Sequence, residues 1–223
     1  MRRWHTFGWI LCVLMMQFGC SKNDDGVIRK VVEIEKAADG HLVDIEGTVT
    51  SNPGAFDGFL SDKGFGLWQK SGGIYIQDDA LKNVKKGDKV RVEGKTATFF
   101  GMRVIKLLKV TSLGSEDAIP PKVIDLVAEQ INDYYIGRVV RVFGKIESVK
   151  SDLPFGWRIE IRSDDHKSAQ VMIASTVDVN PRRDKTIKQG NHFKITGVLL
   201  KFKGKFLVMP RELKDFEPLK PTL

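Results

Sequence analysis

The side chains that most often carry out chemistry are few and scattered in this sequence of 223 residues. The four histidines, which show no spacing typical of a metal site, are His5, His41, His166 and His192. The acid pairs Asp78-Asp79 and Asp164-Asp165 lie beside small or basic residues, where a turn is a simpler interpretation than a cation site. The chain has neither a phosphate-binding glycine loop nor a serine nucleophile motif. We therefore expect a protein that is not an enzyme and that holds no metal or cofactor.

Both cysteines, Cys12 and Cys20, lie near the N-terminus. Residues 21–223 therefore have no thiol for a disulfide, a thiolate zinc site or a cysteine nucleophile. Arg2 and Arg3 precede a mostly apolar run over residues 7–18. That run is shorter than the roughly 20 residues of a membrane span, but it suits the core of a secretory signal.

The end of this run resembles the cleavage box of bacterial lipoproteins. Gly19-Cys20 is followed at once by a polar segment, although Gln17 and Phe18 stand where that family prefers Leu and a small residue. The resemblance implies a signal peptide over residues 1–20 and a lipid on Cys20. It also implies a location in the bacterial cell envelope, on the periplasmic side or at the surface of the outer membrane. A plain signal peptide is the alternative.

The rest of the chain contains an internal repeat of strand-like segments. Hydrophobic and polar residues alternate over 42–50 and 89–93, which favours half-buried antiparallel strands. Three glycines recur at a constant offset of 103 residues, the pairs being Gly87 with Gly190, Gly94 with Gly197 and Gly101 with Gly204. Each copy is predicted to contain five strands. They cover residues 43–51, 66–70, 73–78, 89–100 and 102–113 in the first copy, and residues 137–150, 157–162, 168–174, 192–201 and 205–210 in the second.

Short helices are predicted only before each copy, over residues 31–38 and 124–131. The resulting organisation is a linker with a short helix (21–40), a first barrel (41–118), a second linker with a short helix (119–135), a second barrel (136–218) and a tail (219–223).

The five strands, the Gly-x-Val-x-Val-x-Gly pattern over 87–94 and the segment Gly-Gly-Ile-Tyr-Ile-Gln-Asp over 72–78 resemble the OB fold. More narrowly, they resemble the OB modules of secreted bacterial nucleases and envelope lipoproteins. The resemblance implies an all-β protein of two tandem OB-like Greek-key barrels. In the second copy residues 163–172 depart from the pattern.

OB barrels commonly bind ligands on the outer face of strands two and three and on the adjoining loops. In the first barrel alternation places Tyr75 and Gln77 opposite Ile74 and Ile76, so Tyr75 faces outward if the isoleucines fill the barrel. The implied ligand-binding residues of the first barrel are Trp68, Tyr75, Gln77, Phe99, Phe100 and Arg103. Core packing is the alternative role for these aromatic residues.

Positive charge is concentrated in the second copy. Residues 119–223 carry 19 basic and 13 acidic side chains, whereas residues 21–118 carry 15 of each. Basic residues with interleaved aromatics are typical of a groove for a phosphate backbone. The predicted ligand-binding residues here are Arg158, Arg162, Arg182, Arg183, Lys201, Phe202, Lys203 and Lys205. Attraction to anionic lipid headgroups is an alternative role for these charges.

Together these features lead to the hypothesis of an exported, lipid-anchored protein that binds single-stranded nucleic acid without strong sequence preference. The alternative hypothesis is a structural or adaptor lipoprotein of the cell envelope that binds protein or oligosaccharide.

Overall fold

The structure, a computed structural model, describes residues 26–115, 122–123, 131–163 and 168–219. The predicted signal peptide, Cys20 and nearly all of the predicted second helix lie outside these residues. The described part is all-β, as predicted, with short helices only. None of its helices is long and apolar enough to span a membrane.

The first barrel is built from five strands and closes on itself. Its elements are α1 (Val31–Ile34), β1 (Leu42–Val49), α2 (Asp57–Leu60), β2 (Phe65–Gln69), β3 (Gly72–Gln77), β4 (Asp88–Phe99) and β5 (Met102–Ser115). The strand order around the barrel is β1-β2-β3-β5-β4. The β3–β5 pair is parallel and the other pairs are antiparallel.

The second barrel repeats this topology. Its strands are β6 (Lys122–Val123), β7 (Val139–Asp152), β8 (Gly156–Arg162), β9 (Ser168–Ala174), β10 (His192–Phe202), β11 (Lys205–Met209) and β12 (Phe216–Pro218). Pairing of β10 with β7 closes the ring β7-β8-β9-β11-β10, which corresponds to the first barrel strand by strand. Two 3-10 turns, Asp133–Tyr135 and Leu213–Asp215, complete the described elements.

The repeat is visible in backbone conformation as well as in sequence. The β4–β5 hairpin turns through Phe100 (φ 48°) and Gly101 (φ 80°), and the β10–β11 hairpin turns through Lys203 (φ 49°) and Gly204 (φ 79°). Positive φ at both central residues is the requirement of a type I′ turn, which matches the twist of the flanking strands. The glycine offset therefore marks the same hairpin in each barrel.

The structure departs from the predicted elements in several places. The first helix ends at Ile34 rather than Ala38, and the loop between β1 and β2 contains the unpredicted helix α2. In the second barrel a 3-10 turn interrupts the last strand and divides it into β11 and β12, whereas β5 is continuous. Both β5 and β12 pair with the start of the fourth strand of their barrel.

The two barrels pack tightly on each other. The core of the first barrel consists of Ile74, Ile76 and eight further strand residues, together with Val31 and Ile34 of α1. A second cluster combines the core of the second barrel with first-barrel residues that lie on the outer side of that barrel. They are Phe56, Phe59, Leu60, Tyr75, Met102 and Val104. Burial of this apolar surface joins the barrels through a shared core.

Candidate functional site

The outer face of β2, β3 and β5 in the first barrel, where ligand binding was predicted, is covered by the second barrel and the linker before it. Glycines allow the backbones to approach closely. A Cβ atom on Gly73 would lie 2.1 Å from the carbonyl oxygen of Ile136, and one on Gly66 would lie 2.9 Å from that of Gly137. This face is therefore an inter-barrel contact and leaves no open groove for a polymer.

Tyr75 shows the consequence most clearly. It points out of the barrel, as predicted, but its side chain is fully buried, so the prediction that it contacts a ligand is wrong. Its hydroxyl donates a hydrogen bond to Asp62 Oδ1 at 2.6 Å, and the same oxygen accepts one from the Gly64 N–H at 2.7 Å. Burial raises the pKa of the Asp62 carboxyl, and burial together with that carboxylate raises the pKa of Tyr75.

Trp68 and Gln77 are half-buried at the edges of the covered face. The Arg138 guanidinium lies 4.2 Å from the centre of the Trp68 ring, and the Tyr134 ring meets Trp68 edge to face at 5.5 Å. Trp68 therefore packs against the segment that joins the barrels. Gln77 lies beside Lys106 of β5 in the sheet register.

The predicted aromatic residues of the two hairpins pack on one another. The Lys203 N–H donates to the Phe100 carbonyl at 2.7 Å, which brings the two type I′ turns together. The ring centres of Phe100 and Phe202 are 4.7 Å apart, and the Phe99 and Phe59 rings extend this stack at 4.5 and 4.8 Å. Only Phe100 keeps substantial exposure. The cluster thus packs at the barrel junction, and ligand stacking at these residues stays a prediction.

Arg103 and Lys201 also have partners at the junction. Arg103 donates to the Ala37 carbonyl at 2.7 Å and forms an ion pair with Asp39, and the hydrogen bond from Arg103 lowers the pKa of Asp39. Lys201 Nζ lies 2.9 and 3.0 Å from the two carboxylate oxygens of Asp133. Lys203 and Lys205 are exposed at the turn. The charge of Lys201 is thus paired with the linker, and its role in ligand binding stays a prediction.

Equivalent positions on the two barrels carry different side chains. Gly47 of β1 lies over the Trp68 carbonyl, and Gly144 of β7 lies over the Arg162 carbonyl, so Trp68 and Arg162 correspond. By the same register Tyr75 corresponds to Gln170 and Gly66 to Glu160. The small and aromatic residues that let the first barrel be covered are thus replaced in the second by polar and charged ones.

The outer face of β7 and β8, which we call the β7–β8 face, is equivalent to the outer face of β1 and β2 in the first barrel and carries the charged side chains. Ile159 and Ile161 are fully buried, so the alternate residues of β8 point outward. Arg162 lies opposite Lys145, Glu160 opposite Ser148, and Arg158 opposite Lys150. Opposed residues of an antiparallel pair share a face, with side chains about 5 Å apart. Two cross-strand pairs of cations therefore flank one polar pair.

Three of the four cations of this face have no ion pair in the part of the chain that the structure describes. Lys145 and Lys150 are exposed, and the structure gives neither of them, nor Arg162, an acidic partner among the residues it describes. Arg158 donates to Asp152 at 2.6 Å. On β7 the neighbouring outward residue is Phe143, an aromatic side chain that is 37% exposed. The face therefore combines cations with an accessible ring.

The other predicted arginines lie in the loop between β9 and β10. Arg182 and Arg183 are exposed, and the Arg182 guanidinium lies 5.1 Å from the centre of the Trp157 ring at the start of β8. Trp157 faces the same side of β8 as Ile159, but it lies at the end of the strand and is half-buried. These residues place further positive charge at one end of the barrel.

The sequence interpretation missed part of this face. The missed residues are Phe143, Lys145, Ser148, Lys150 and Glu160. Alternation along β7 and β8 assigns Phe143, Lys145 and Glu160 to the outer side, so for these three the signal was available. Ser148 and Lys150 follow a bulge and are out of phase with the residues before it, so alternation alone does not find them. Which cation of β7 lies opposite which cation of β8 depends on the register of the two strands, and a bulge between Ile146 and Ser148 shifts that register by one residue.

Among the described residues no group of three or more potential ligands could hold a metal ion.

No protein-family model matches the sequence, and no curated protein matches it. The chain is similar in structure to a murine DNA-binding protein bound with double-stranded DNA, at 12% identity and a TM-score of 0.37, over 79% of this chain and 98% of that one. It is also similar to a deletion mutant of the single-stranded DNA-binding protein from Thermus aquaticus, at 12% identity and a TM-score of 0.30, over 84% of this chain and 98% of that one. Similarity at this level decides neither the fold nor the ligand of this chain.

Proposed function

We propose that this protein binds single-stranded nucleic acid along the β7–β8 face of its second barrel. The observation that supports this function is the pair of cross-strand cation pairs, Lys145 with Arg162 and Lys150 with Arg158, on an outward face. Phosphate groups are the ligand for such an array, because each neutralised phosphate releases condensed counterions. Phe143 adds a ring on which a base can stack.

The dimensions of the β7–β8 face favour a single nucleic-acid strand whose backbone runs along β8. Arg158 and Arg162 are four residues apart on β8, so their backbones are about 13 Å apart at a rise of about 3.3 Å per residue. The sugar-phosphate backbone of one strand can contact both cation pairs, and a base between them then lies over Ser148 and Glu160. A duplex would present two rigid backbones instead.

Binding should be tested by fluorescence anisotropy with a labelled oligothymidylate over a series of salt concentrations. We expect K145A/R162A to weaken binding and to reduce the slope of log K against log salt by about 1.4, since each phosphate contact contributes about 0.7 on a single strand. The matched control is K95A/K106A. Lys95 and Lys106 are likewise exposed and directly opposed across β4 and β5, but they lie on the first barrel. Binding that is absent at low salt, or that both double variants weaken equally, would refute the proposed site.

We further propose that the protein is exported and anchored by a lipid on Cys20. The support is the sequence alone, in which two arginines, an apolar run and Gly19-Cys20 precede a polar segment. Incorporation of labelled palmitate into the wild-type chain, and its loss in C20S, is the expected result. Equal labelling of both chains would contradict the anchor.

A further inference from the structure

The middle of the β7–β8 face is unlike its two ends. Ser148, Glu160 and Gln170 lie side by side on β7, β8 and β9 in the sheet register. Rows of cations lie one step away on either side, Lys145 with Arg162 and Lys150 with Arg158. A row of hydrogen-bonding oxygens therefore lies between two rows that attract phosphate.

Glu160 is difficult to explain as part of a surface that binds phosphate alone. Its carboxylate repels a phosphate backbone, and within the described residues it has no ion pair or hydrogen bond that would give it a structural role. Gln170 Oε1 beside it is buried and has no hydrogen-bond partner within that same part of the chain. Buried polar atoms are ordinarily paired, so an unpaired acceptor next to a free carboxylate favours a ligand that donates hydrogen bonds.

Nucleobases differ in the donors that their Watson–Crick edges offer. Guanine presents two adjacent donors, N1–H and the N2 amino group, which match the two oxygens of one carboxylate. Adenine and cytosine each present a single amino donor, and thymine or uracil presents one N–H between two carbonyls, which a carboxylate repels. Single-stranded bases are commonly recognised by such edge contacts. Bidentate, charge-assisted hydrogen bonds are the strong class.

We propose that the Ser148–Glu160–Gln170 row recognises guanine, with Glu160 accepting from both donors of its Watson–Crick edge. This inference rests on the proposed binding of single-stranded nucleic acid and adds a base preference to it. The cation rows hold the phosphates on either side, and the base between them lies over Glu160. Oligomers that contain guanine should then bind more tightly than oligothymidylate of the same length.

The test compares anisotropy titrations of an oligothymidylate with those of the same oligomer carrying isolated guanosines, spaced so that they form no G-rich structure. For the wild-type protein we expect at least about fivefold tighter binding of the guanosine oligomer, the lower limit of one good bidentate contact. For E160Q we expect this preference to disappear. Binding of oligothymidylate should stay the same or strengthen, because a negative charge has been removed from the phosphate path.

The control is E93Q, which removes a half-exposed carboxylate from the first barrel and should keep the guanine preference. Equal wild-type affinity for both oligomers, tighter binding of a matched cytidine or adenosine oligomer, or a preference that survives in E160Q would each overturn the assignment. These outcomes leave binding itself intact. Failure of the proposed function would appear differently, as no binding of any oligomer or as no effect of K145A/R162A.

Discussion

The hydrogen bond between Tyr75 and Asp62 makes a prediction about stability that depends on pH. Asp62 is 4% exposed, its Oδ1 accepts from the Tyr75 hydroxyl and the Gly64 N–H, and its Oδ2 has no hydrogen-bond partner within the described part of the chain. Y75F removes the hydroxyl and keeps the ring. We expect it to cost about 1.5–3 kcal/mol at neutral pH, the usual contribution of a hydrogen bond to a charged group.

The cost should shrink in acid. Burial raises the pKa of Asp62 above 3.8, whereas the bond from Tyr75 favours the charged carboxylate. A raised carboxyl pKa makes the folded state bind more protons than the unfolded state, so its stability contribution is greatest below pH 3.8 and is lost as pH rises through the folded value. Y75F raises that pKa further. Once Asp62 is protonated, only an ordinary hydrogen bond of about 0.5–1.5 kcal/mol is lost.

Urea denaturation of wild type and Y75F over a series of pH values from neutral to about pH 3, below the ordinary carboxyl pKa, measures both values. The matched control is Y134F. The Tyr134 hydroxyl donates to the Lys70 carbonyl at 3.2 Å on the surface, and the residue is 42% exposed. This control should cost less than about 0.5 kcal/mol at every pH, as is usual for surface substitutions. A cost of Y75F that is the same at every pH, or no larger than that of Y134F, would refute the role assigned to the buried carboxylate.

Three further predictions concern the barrel junction. G73A should destabilise the protein by about 2 kcal/mol or more in urea denaturation, because its Cβ would collide with the Ile136 carbonyl 2.1 Å away. F202A should cost about 1–3 kcal/mol in the same assay, because the Phe202 ring contacts two other rings, whereas F155A at an exposed turn should cost less than about 0.5 kcal/mol. R103A should lower the melting temperature but leave oligonucleotide affinity unchanged, because Arg103 donates a hydrogen bond to Ala37 and forms an ion pair with Asp39. An affinity loss as large as that of K145A/R162A would contradict this structural role.

The strands were predictable from the sequence to within about two residues, the usual uncertainty of strand ends. Residues 168–174, for example, were predicted as a strand and form β9. Alternation is a local signal that packing on one side of a sheet enforces, and the repeated glycines reinforced it. The interruption between β11 and β12 was not predicted, because it follows from a short turn that has no counterpart in the first barrel.

The candidate site was predictable only in part. Alternation correctly turned Tyr75 out of its barrel, but no local pattern shows that a second barrel will cover that side. The same limit applies to Phe202, whose ring contacts Phe59 and Phe100 of the first barrel. Arg158 and Arg162 were predicted from the sequence because they lie on one strand. Their partners on β7 were missed because opposition across strands depends on register.

The two barrels carry different side chains on the face that this fold commonly uses for binding. One copy buries that face, and small residues such as Gly66 and Gly73 are what allow its backbone to approach the neighbouring segment. The equivalent of Gly66 in the other copy is Glu160, a side chain that could not fit beneath a second barrel without losing its solvation. A charged residue there is compatible only with an open face. The equivalent of the covered Gly66 is therefore the side chain that we propose recognises a base.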